Sequence, residues 1–249
     1  MSALRARCPD CRTLTAVAIG DEYQCHSCGR EFAAGLVRVP RAWGRGGETM
    51  AEAATMRVPW PEAATVAEET LEAQIETMAR TLPARPLVLG GCCCSHVGAV
   101  RELARRHGRL GIVWLDAHGD LNTPESSPSG NEWGMPLRML IDAGDVAAED
   151  VTLLGARNLD PPEIDFIEAA GVSTELGALP GAVYVALDGD VGDEAELDVF
   201  MPEPDGVPLS KLEQILASLP RPVGAGLTGF RRSARNEETV ARLGHAAGL

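Results

Sequence analysis

The chain has 249 residues, a formal net charge of −14 and 45% hydrophobic residues, enough to bury a core. The acidic balance argues against nucleic acid or an anionic membrane surface as a general partner. No apolar run approaches the ~20 residues of a membrane helix, and the start, MSALRARCPDC, lacks the apolar stretch of a signal peptide. The sequence therefore predicts a cytoplasmic protein whose seven cysteines are metal ligands, reactive thiols or packing residues rather than disulfides.

Residues 1–35 are predicted to form a separate module that binds zinc. Two CxxC pairs with thirteen residues between them provide four cysteines: Cys8, Cys11, Cys25 and Cys28. Each pair makes a tight turn, and two such turns supply four thiolates for a tetrahedral structural Zn²⁺ site. The segment is too short to fold on an apolar core alone, so the metal would supply its stability. The alternative is four free thiols in a disordered tail.

Protein contact or oligomer assembly is the favoured role for this zinc-ribbon-like module, because the whole chain is acidic. Three arginines, Arg5, Arg7 and Arg12, give weak support to nucleic-acid binding instead. A second domain is predicted over residues 36–249.

The first elements of this second domain are a short strand, a helix and a strand–turn–helix unit. Residues 36–39 are apolar and predict a first strand, followed by a loop. Residues 61–82 predict an amphipathic helix, since apolar residues recur at helical spacing with Glu between them. Residues 86–89 predict a buried strand that runs into Gly90-Gly91, a turn that lets backbone approach a ligand. Residues 97–106 predict the helix that follows.

The rest of the chain alternates between short apolar runs and helical patterns. The predicted strands are residues 112–115, 151–154, 183–187 and 222–227, and the predicted helices are 136–143, 162–170, 209–219 and 237–243. Strands that alternate with helices predict an α/β fold, in which a parallel sheet is covered by helices on both faces.

Two of these strands end directly in acidic motifs. Asp116, His118 and Asp120 occupy alternate positions after the strand at 112–115, and Asp188 and Asp190 do the same after the strand at 183–187. Alternate residues at a strand end point the same way, and buried carboxylates are costly unless something neutralises them. Two divalent metals ~3.5–4 Å apart would do so and would lower the pKa of a shared water. Oxygen and nitrogen ligands favour Mn²⁺ or a similar ion.

These motifs resemble the metal signatures of the arginase/agmatinase (ureohydrolase) family. They read DAHGD at 116–120 and LDGDVGD at 187–193, and LGG at 89–91 resembles the start of a third signature. The similarity covers about residue 85 to the C-terminus, and more loosely from residue 36. It implies a three-layer α/β/α sandwich, a binuclear manganese centre, hydrolysis of guanidino C–N bonds, and a homo-oligomer, since family members are commonly trimers or hexamers.

Residue by residue, the resemblance implies that Asp116 and Asp188 bridge the two metals. His118 and Asp190 would complete one metal position, and Asp120 the other. Asp120 or a bound water would then carry a proton to the leaving amine.

The resemblance extends to residues that bind an amino-acid substrate. Asn122, Ser129 and Asn131 are similar to those that hold the α-carboxylate in arginases, although for Ser129 alone ordinary loop polarity is the better explanation. The segment RNLDP at 157–161, with Asp160 and then Glu163, resembles the one that engages the α-amino group. These matches imply an arginine-like amino acid rather than a decarboxylated amine.

The third signature departs from the family pattern. It normally reads Gly-Gly-Asp-His-Ser, with His as a metal ligand, but here Cys93 takes that place and Cys92 takes the place of the Asp. His96 lies three residues further on and would reach a metal only if the turn were remodelled, so Cys93 is the favoured ligand. A thiolate can bind Mn²⁺ but shifts preference toward Zn, Fe or Co, so the first metal would be weakly bound or absent. Packing is the simpler explanation of Cys92 and Cys94.

Two further departures concern the substrate. Trp133 stands where the family has a histidine that helps to shuttle protons; Trp transfers no proton but stacks on a planar guanidinium. The family's late glutamate, which pairs with the guanidinium, falls in LTGF at 227–230, where there is no acid. The predicted function is therefore metal-dependent hydrolysis of a guanidino or amidino C–N bond, with a substrate that differs from arginine itself.

Two other interpretations remain open at this point. In the first, the sandwich is a catalytically reduced or inactive scaffold, and its zinc ribbon mediates protein interaction. In the second, the same fold hydrolyses amides. The departures at Cys93, at Trp133 and at the late glutamate support the scaffold.

Overall fold

The computed structural model describes residues 5–6, 8, 11, 13–19 and 22–249. Residues 1–4, which belong to the start of the chain used for the signal-peptide prediction, lie outside the described residues. So do Arg7 and Arg12, two of the three arginines that bear on nucleic-acid binding.

A small antiparallel sheet begins the structure. Its four strands are β1 (Arg5–Ala6), β2 (Ala16–Ile19), β3 (Glu22–Cys25) and β4 (Glu31–Phe32), in that spatial order. The rings of Tyr23 and Phe32 stack with centroids 5.4 Å apart and belong to its small core. This sheet ends at Phe32, and the next strand begins at Ala34. The predicted division into two domains at residue 35 stays a prediction.

A seven-stranded sheet in which all neighbouring strands run parallel organises the rest of the chain. Its strands are β5 (Ala34–Val39), β6 (Glu62–Thr65), β7 (Arg85–Gly90), β8 (Leu110–Leu115), β9 (Val151–Leu154), β10 (Ala182–Asp188) and β11 (Gly224–Thr228). The spatial order is β6-β5-β7-β11-β10-β8-β9. The three strands β7, β8 and β10 are buried along nearly their whole length, which explains why they read as continuous apolar runs.

Helices cover both faces of this sheet. They are α1 (Leu71–Thr81), α2 (Ser95–His107), α3 (Pro136–Asp142), α4 (Pro161–Ala170), α5 (Leu209–Ser218) and α6 (Ala234–Ala246). One face packs against α1 to α4, and the other packs against α5, α6 and a 3-10 helix at Gly47–Thr55. The predicted three-layer α/β/α sandwich with a parallel sheet is confirmed. Among the described residues, no helix is long and apolar enough to cross a membrane.

The prediction of a single helix over residues 61–82 was wrong in its first half. Glu62–Thr65 forms edge strand β6, which pairs with β5, and α1 begins only at Leu71. Backbone hydrogen bonds to β5 override the local helical propensity of the Ala- and Glu-rich segment. Thr70 then accepts a hydrogen bond from the amide of Ala73 and starts the helix as its N-cap.

Candidate metal centre and pocket

The carboxyl edge of the parallel sheet brings the predicted core ligands together. Asp116 directly follows β8, Asp188 ends β10, and Cys93 lies on the turn that follows β7. Because the three strands run parallel and are separated only by β11, their ends converge on one cavity of about 300 Å³. Six predicted ligands line this cavity: Cys93, Asp116, His118, Asp120, Asp188 and Asp190.

Backbone amides fix the carboxylates before any metal enters. The amide of His118 donates to Asp116 Oδ1 at 2.8 Å, and that of Ala117 donates to Asp190 Oδ1 at 3.0 Å. The amide of Asp190 in turn donates to Asp188 Oδ1 at 3.1 Å. Each of these three aspartates thus has one oxygen held by the main chain, and their geometry follows from the backbone of two strand ends.

His118, Asp116 and Asp190 form a first group of candidate ligands. Nδ1 of His118 lies 3.0 Å from Asp190 Oδ2 and 3.5 Å from Asp116 Oδ1. One donor atom from each of the three residues falls within 4.8 Å of the others. Imidazole nitrogen and carboxylate oxygen suit Mn²⁺ and the other borderline divalent ions.

Cys93, Asp116 and Asp120 form a second group, which meets the same 4.8 Å criterion and shares Asp116 with the first. Sγ of Cys93 lies 3.1 Å from Asp188 Oδ2 and 3.6 Å from Asp116 Oδ2. Asp120 adopts a left-handed backbone, with φ of 53°. Its Oδ2 is buried and has no hydrogen-bond partner among the described residues, as expected of an atom that binds a cation.

The electrostatics of the cluster also fit positive ions. Burial and the neighbouring Asp190 raise the pKa of Asp188 to about 7, and burial and Asp116 raise the pKa of Asp190 to about 6. Burial followed by the adjacent aspartates raises the pKa of the Cys93 thiol well above its usual range. Burial lowers the pKa of His118, but hydrogen bonds to Asp116 and Asp190 outweigh it and raise that pKa to about 12. The crowded carboxylates therefore favour added positive charge, so the residues suit a metal pair.

Two residues at the end of β11 complete the surroundings of Asp188, and sequence reasoning missed their role. Thr228 Oγ1 lies 3.1 Å from Asp188 Oδ2 and 3.2 Å from Cys93 Sγ. Gly229 has φ of 75°, and a Cβ placed there would lie 2.0 Å from Asp188 Oδ1. They occupy the segment in which the sequence lacks the expected glutamate. The segment carries no acid, but its backbone packs directly against Asp188.

His96 lies behind this cluster, with its Nε2 3.4 Å from Thr228 Oγ1. Its Nδ1 is 3.1 Å from the Tyr184 hydroxyl, and its ring meets those of Trp114 and Tyr184 edge-on. Burial lowers its pKa to about 3, so it is a neutral core histidine. The structure places Cys93, and not His96, in the cavity.

The predicted carboxylate-binding residues lie along the loop that forms one wall of the cavity. Asn122 donates to Asp160 Oδ2 at 2.9 Å and accepts from Ser126 Oγ at 2.8 Å. Asn131 accepts from the amide of Arg45 at 2.8 Å through Oδ1. Ser129 lies at the exposed rim, where its Oγ accepts from the amide of Asn131. All three predicted residues line the cavity.

The predicted amino-binding segment starts helix α4. Glu163 accepts from the amides of Leu121 and Asp160, both at 2.9 Å, and so joins the ligand loop to the helix start. Both Asp160 and Glu163 line the cavity. The guanidinium of Arg157 in the same segment instead donates to carbonyl groups, among them those of Asp190 and Glu203.

Trp133 lines the same cavity and is half-buried. Its amide donates to the carbonyl of Trp43 at 3.1 Å, and its ring packs so closely on Gly44 that a Cβ there would lie 2.5 Å away. Met50 and Met201 add apolar surface to the cavity. Sequence reasoning missed both methionines, because they come from connections without a regular pattern.

The four cysteines of the small sheet also meet. Donor atoms of Cys8, Cys11, Cys25 and Cys28 all lie within 4.8 Å of one another. The hydroxyl of Thr15 hydrogen-bonds to Cys25 and lowers the pKa of that thiol to about 5. The lowered pKa of Cys25 and the close approach of the four sulfur atoms fit structural Zn²⁺.

This combination of fold and site defines a class of α/β/α sandwich proteins with a cluster of candidate metal ligands at the carboxyl edge of a parallel sheet. The chain belongs to the arginase family, because the model described as "Arginase family" matches residues 47–176, just over half of the chain. The family resemblance read from the two aspartate motifs is confirmed.

Comparisons with individual proteins agree with this assignment. An arginase from Staphylococcus aureus (strain COL) is 43% identical over 99 residues, which are 36% of this chain and 33% of that protein. The match thus spans about a third of that relative's length. The crystal structure of arginase from Bacillus subtilis has a TM-score of 0.74 at 21% identity and covers 86% of this chain and 97% of its own. The crystal structure of formimidoylglutamase from the same organism has a TM-score of 0.68 at 15% identity. The match covers 86% of this chain and 85% of that protein.

Proposed function

We propose that the protein is a metal-dependent hydrolase of a guanidino or amidino C–N bond, with an arginine-like amino acid as substrate. The observation that carries this proposal is the pair of ligand groups that share Asp116 at one cavity. Two divalent ions held there would supply hydroxide near neutral pH and the positive charge that a developing tetrahedral centre needs. We propose Mn²⁺ for the position of His118 and Asp190, and Mn²⁺ or a softer ion for the position of Cys93.

The chain's own residues would bind and orient the substrate. Asn131 uses Oδ1 to accept from Arg45, which leaves its amide nitrogen, among the described residues, as a donor for a carboxylate. Asp160 and Glu163 supply negative charge for an ammonium group at the same wall. Trp133 would stack on the planar guanidinium.

Asp120 is the residue proposed to carry a proton to the leaving amine. Its Oδ2 is buried and, within the described part of the chain, has no hydrogen-bond partner. Burial, followed by the charge of Asp116, raises its pKa well above the ordinary range, which strengthens its tendency to take up a proton. A carboxylate beside the reacting centre can take up a proton released during hydrolysis and deliver it to the departing nitrogen.

The comparisons support a hydrolase of this family but do not name its substrate. The matched relatives include an arginase, and the structures of similar fold include a formimidoylglutamase. We further propose that residues 1–35 form a zinc ribbon with Zn²⁺ on its four cysteines, and that residues 36–249 form the hydrolase domain. The homo-oligomer and the cytoplasmic location remain predictions.

The test is hydrolysis of a panel of guanidino and amidino compounds, including arginine, with Mn²⁺ added and urea or substituted urea measured. Asp116→Ala should abolish both the activity and the core metal, because Asp116 belongs to both ligand groups. The zinc of the ribbon should remain and serves as the internal control. A panel that shows no hydrolysis with Mn²⁺, Co²⁺, Ni²⁺ and Zn²⁺ would contradict the catalytic proposal.

A second candidate function is a non-catalytic scaffold, and the specific observation behind it is the buried neutral thiol of Cys93 at a ligand position. Metal analysis distinguishes the two. One zinc per chain and no further metal, after incubation with Mn²⁺, indicates the scaffold. One zinc with one or two further ions indicates the hydrolase.

A further inference from the structure

A carboxylate that belongs to neither aspartate motif approaches the far side of the His118 ring. Glu203 lies in the long connection between β10 and α5, and its Oε1 is 3.4 Å from Nε2 of His118. Nδ1 of the same ring faces Asp190 and Asp116. The two ring nitrogens thus have different surroundings: one faces the candidate metal position, and the other faces Glu203.

Two side chains from the segment before α4 hold Glu203 in this place. Asn158 donates through Nδ2 to Glu203 Oε1 at 2.9 Å. Arg157 donates to the carbonyl of Glu203 at 3.0 Å and to that of Pro204 at 2.7 Å. The same guanidinium donates to the carbonyl of Asp190 at 2.7 Å. One arginine therefore ties the backbone of Glu203 to the backbone of a candidate ligand, so their separation is fixed by the fold.

This arrangement matches the surroundings that metal-bound histidines need. A histidine that binds a metal through Nδ1 carries its proton on Nε2, and a carboxylate at Nε2 fixes that tautomer and makes the ring a stronger ligand. The present 3.4 Å contact needs to shorten by about 0.4 Å to become an ordinary hydrogen bond. Both side chains are about a quarter exposed, so the contact is shielded from water but free to adjust.

We propose that Glu203 is a positioning residue for the His118 metal position, acting by accepting the Nε2–H hydrogen bond of the metal-bound ring. The proposal rests on the proposed function, since it requires a metal at that position. It adds a residue from a different loop to the centre and gives Asn158 and Arg157 a common role in holding that residue.

The experiment measures Mn²⁺ affinity directly, by titration of the protein with Mn²⁺ while the free ion is followed by electron paramagnetic resonance. The ribbon keeps its zinc throughout. Glu203→Ala should weaken the His118 position by roughly 10–100-fold, the usual effect of losing such a partner. Glu203→Gln keeps an acceptor for Asn158 but loses the charge, and it should give a smaller loss. The unfolding temperature of protein without core metal should be the same in all three proteins.

Asp205→Asn is the matched control. Asp205 is exposed, lies two residues further along the same loop and has φ of 60°, a conformation that Asn also tolerates. It removes the same charge without a contact to His118 and should leave Mn²⁺ affinity unchanged. An equal loss in Asp205→Asn would show a general charge effect and overturn the proposal.

The double variant His118→Ala/Glu203→Ala makes the decisive measurement. If Glu203 acts through the ring, its removal has no further effect once His118 is gone. A Glu203 effect that persists in the His118→Ala background, or wild-type affinity in Glu203→Ala, overturns the inference while the proposed function stands. Wild-type protein that takes up no Mn²⁺ beyond its zinc overturns both.

Discussion

Replacement of Gly229 by Ala tests how closely the backbone of the sheet edge holds Asp188. Gly229 follows β11 with φ of 75°, and its added Cβ would lie 2.0 Å from Asp188 Oδ1 and 2.6 Å from Cγ. Real Cβ contacts stay beyond 3.0 Å, so the carboxylate or the backbone must move by about 1 Å. Asp188 is the proposed bridge between the two metal positions, and movement of its carboxylate affects both.

Two costs contribute and can be separated. The left-handed backbone costs an Ala about 1–2 kcal/mol, which in a domain of this size lowers the unfolding temperature by about 2–4 °C for each kcal/mol. The displacement of Asp188 adds a loss of metal binding and activity, and a 1 Å misplacement at a reacting centre costs on the order of 10²-fold. Thermal unfolding measures the first cost, and Mn²⁺ titration with urea release measures the second.

Gly171→Ala is the matched control, because Gly171 has the same φ of 75° and a Cβ there would have no described residue within 4 Å. It should show the backbone cost alone, with Mn²⁺ binding unchanged. If Gly229→Ala binds Mn²⁺ as tightly as Gly171→Ala does, the claim that the end of β11 positions Asp188 is wrong.

Three further predictions concern charge and metal. Glu102 is buried, and hydrogen bonds from Arg105 and Arg106 lower its pKa to about 2. Glu102→Gln should lower the free energy of unfolding by about 2–3 kcal/mol at pH 7. The difference in unfolding free energy between the wild type and Glu102→Gln should shrink as pH falls from 4.5 toward 2. The control variant Glu76→Gln changes an exposed residue and should leave the free energy of urea unfolding almost unchanged. Burial and neighbouring carboxylates raise the pKa values of Asp188 and Asp190 to about 7 and about 6. Mn²⁺ affinity should fall as pH drops through these values, because protonated carboxylates bind no metal. Equal Mn²⁺ affinities at pH 8 and pH 6 would contradict this prediction. Removal of zinc should increase hydrogen exchange in β1–β4 and leave β5–β11 protected, and uniform exchange would argue against a zinc-dependent module.

The parts of the fold that could be predicted from sequence are those with a local pattern. Strands β8 and β10 are continuous apolar runs, and each ends in its aspartate motif, so both the strand and the position of the ligands follow from neighbouring residues. Edge strand β6 could not be predicted, because Glu62–Thr65 has helical propensity and becomes a strand only through pairing with β5.

The missed site residues have the same physical origin. Thr228 and Gly229 reach Asp188 because β11 lies beside β10 in the sheet, an order that the chain sequence does not state. Glu203 lies close to His118 because Arg157 donates a hydrogen bond to the carbonyl of Glu203 and holds the Glu203 loop near the site. Contacts of this kind depend on tertiary packing between distant segments, and no spacing rule within one segment predicts them.

The two candidate metal positions differ in chemistry, and Cys93 accounts for the difference. Burial, followed by the charges of Asp188, Asp120 and Asp116, raises the pKa of the Cys93 thiol well above its usual range. An ion must therefore displace the thiol proton before the sulfur can bind. A thiophilic ion gains more from the thiolate than Mn²⁺ does, and Mn²⁺ should therefore fill the His118 position first. Cys93→His should raise Mn²⁺ uptake toward two core ions and increase the rate of urea release at limiting Mn²⁺. Unchanged Mn²⁺ stoichiometry in Cys93→His, in a variant that unfolds at the wild-type temperature, would show that the thiol is not what limits the second position.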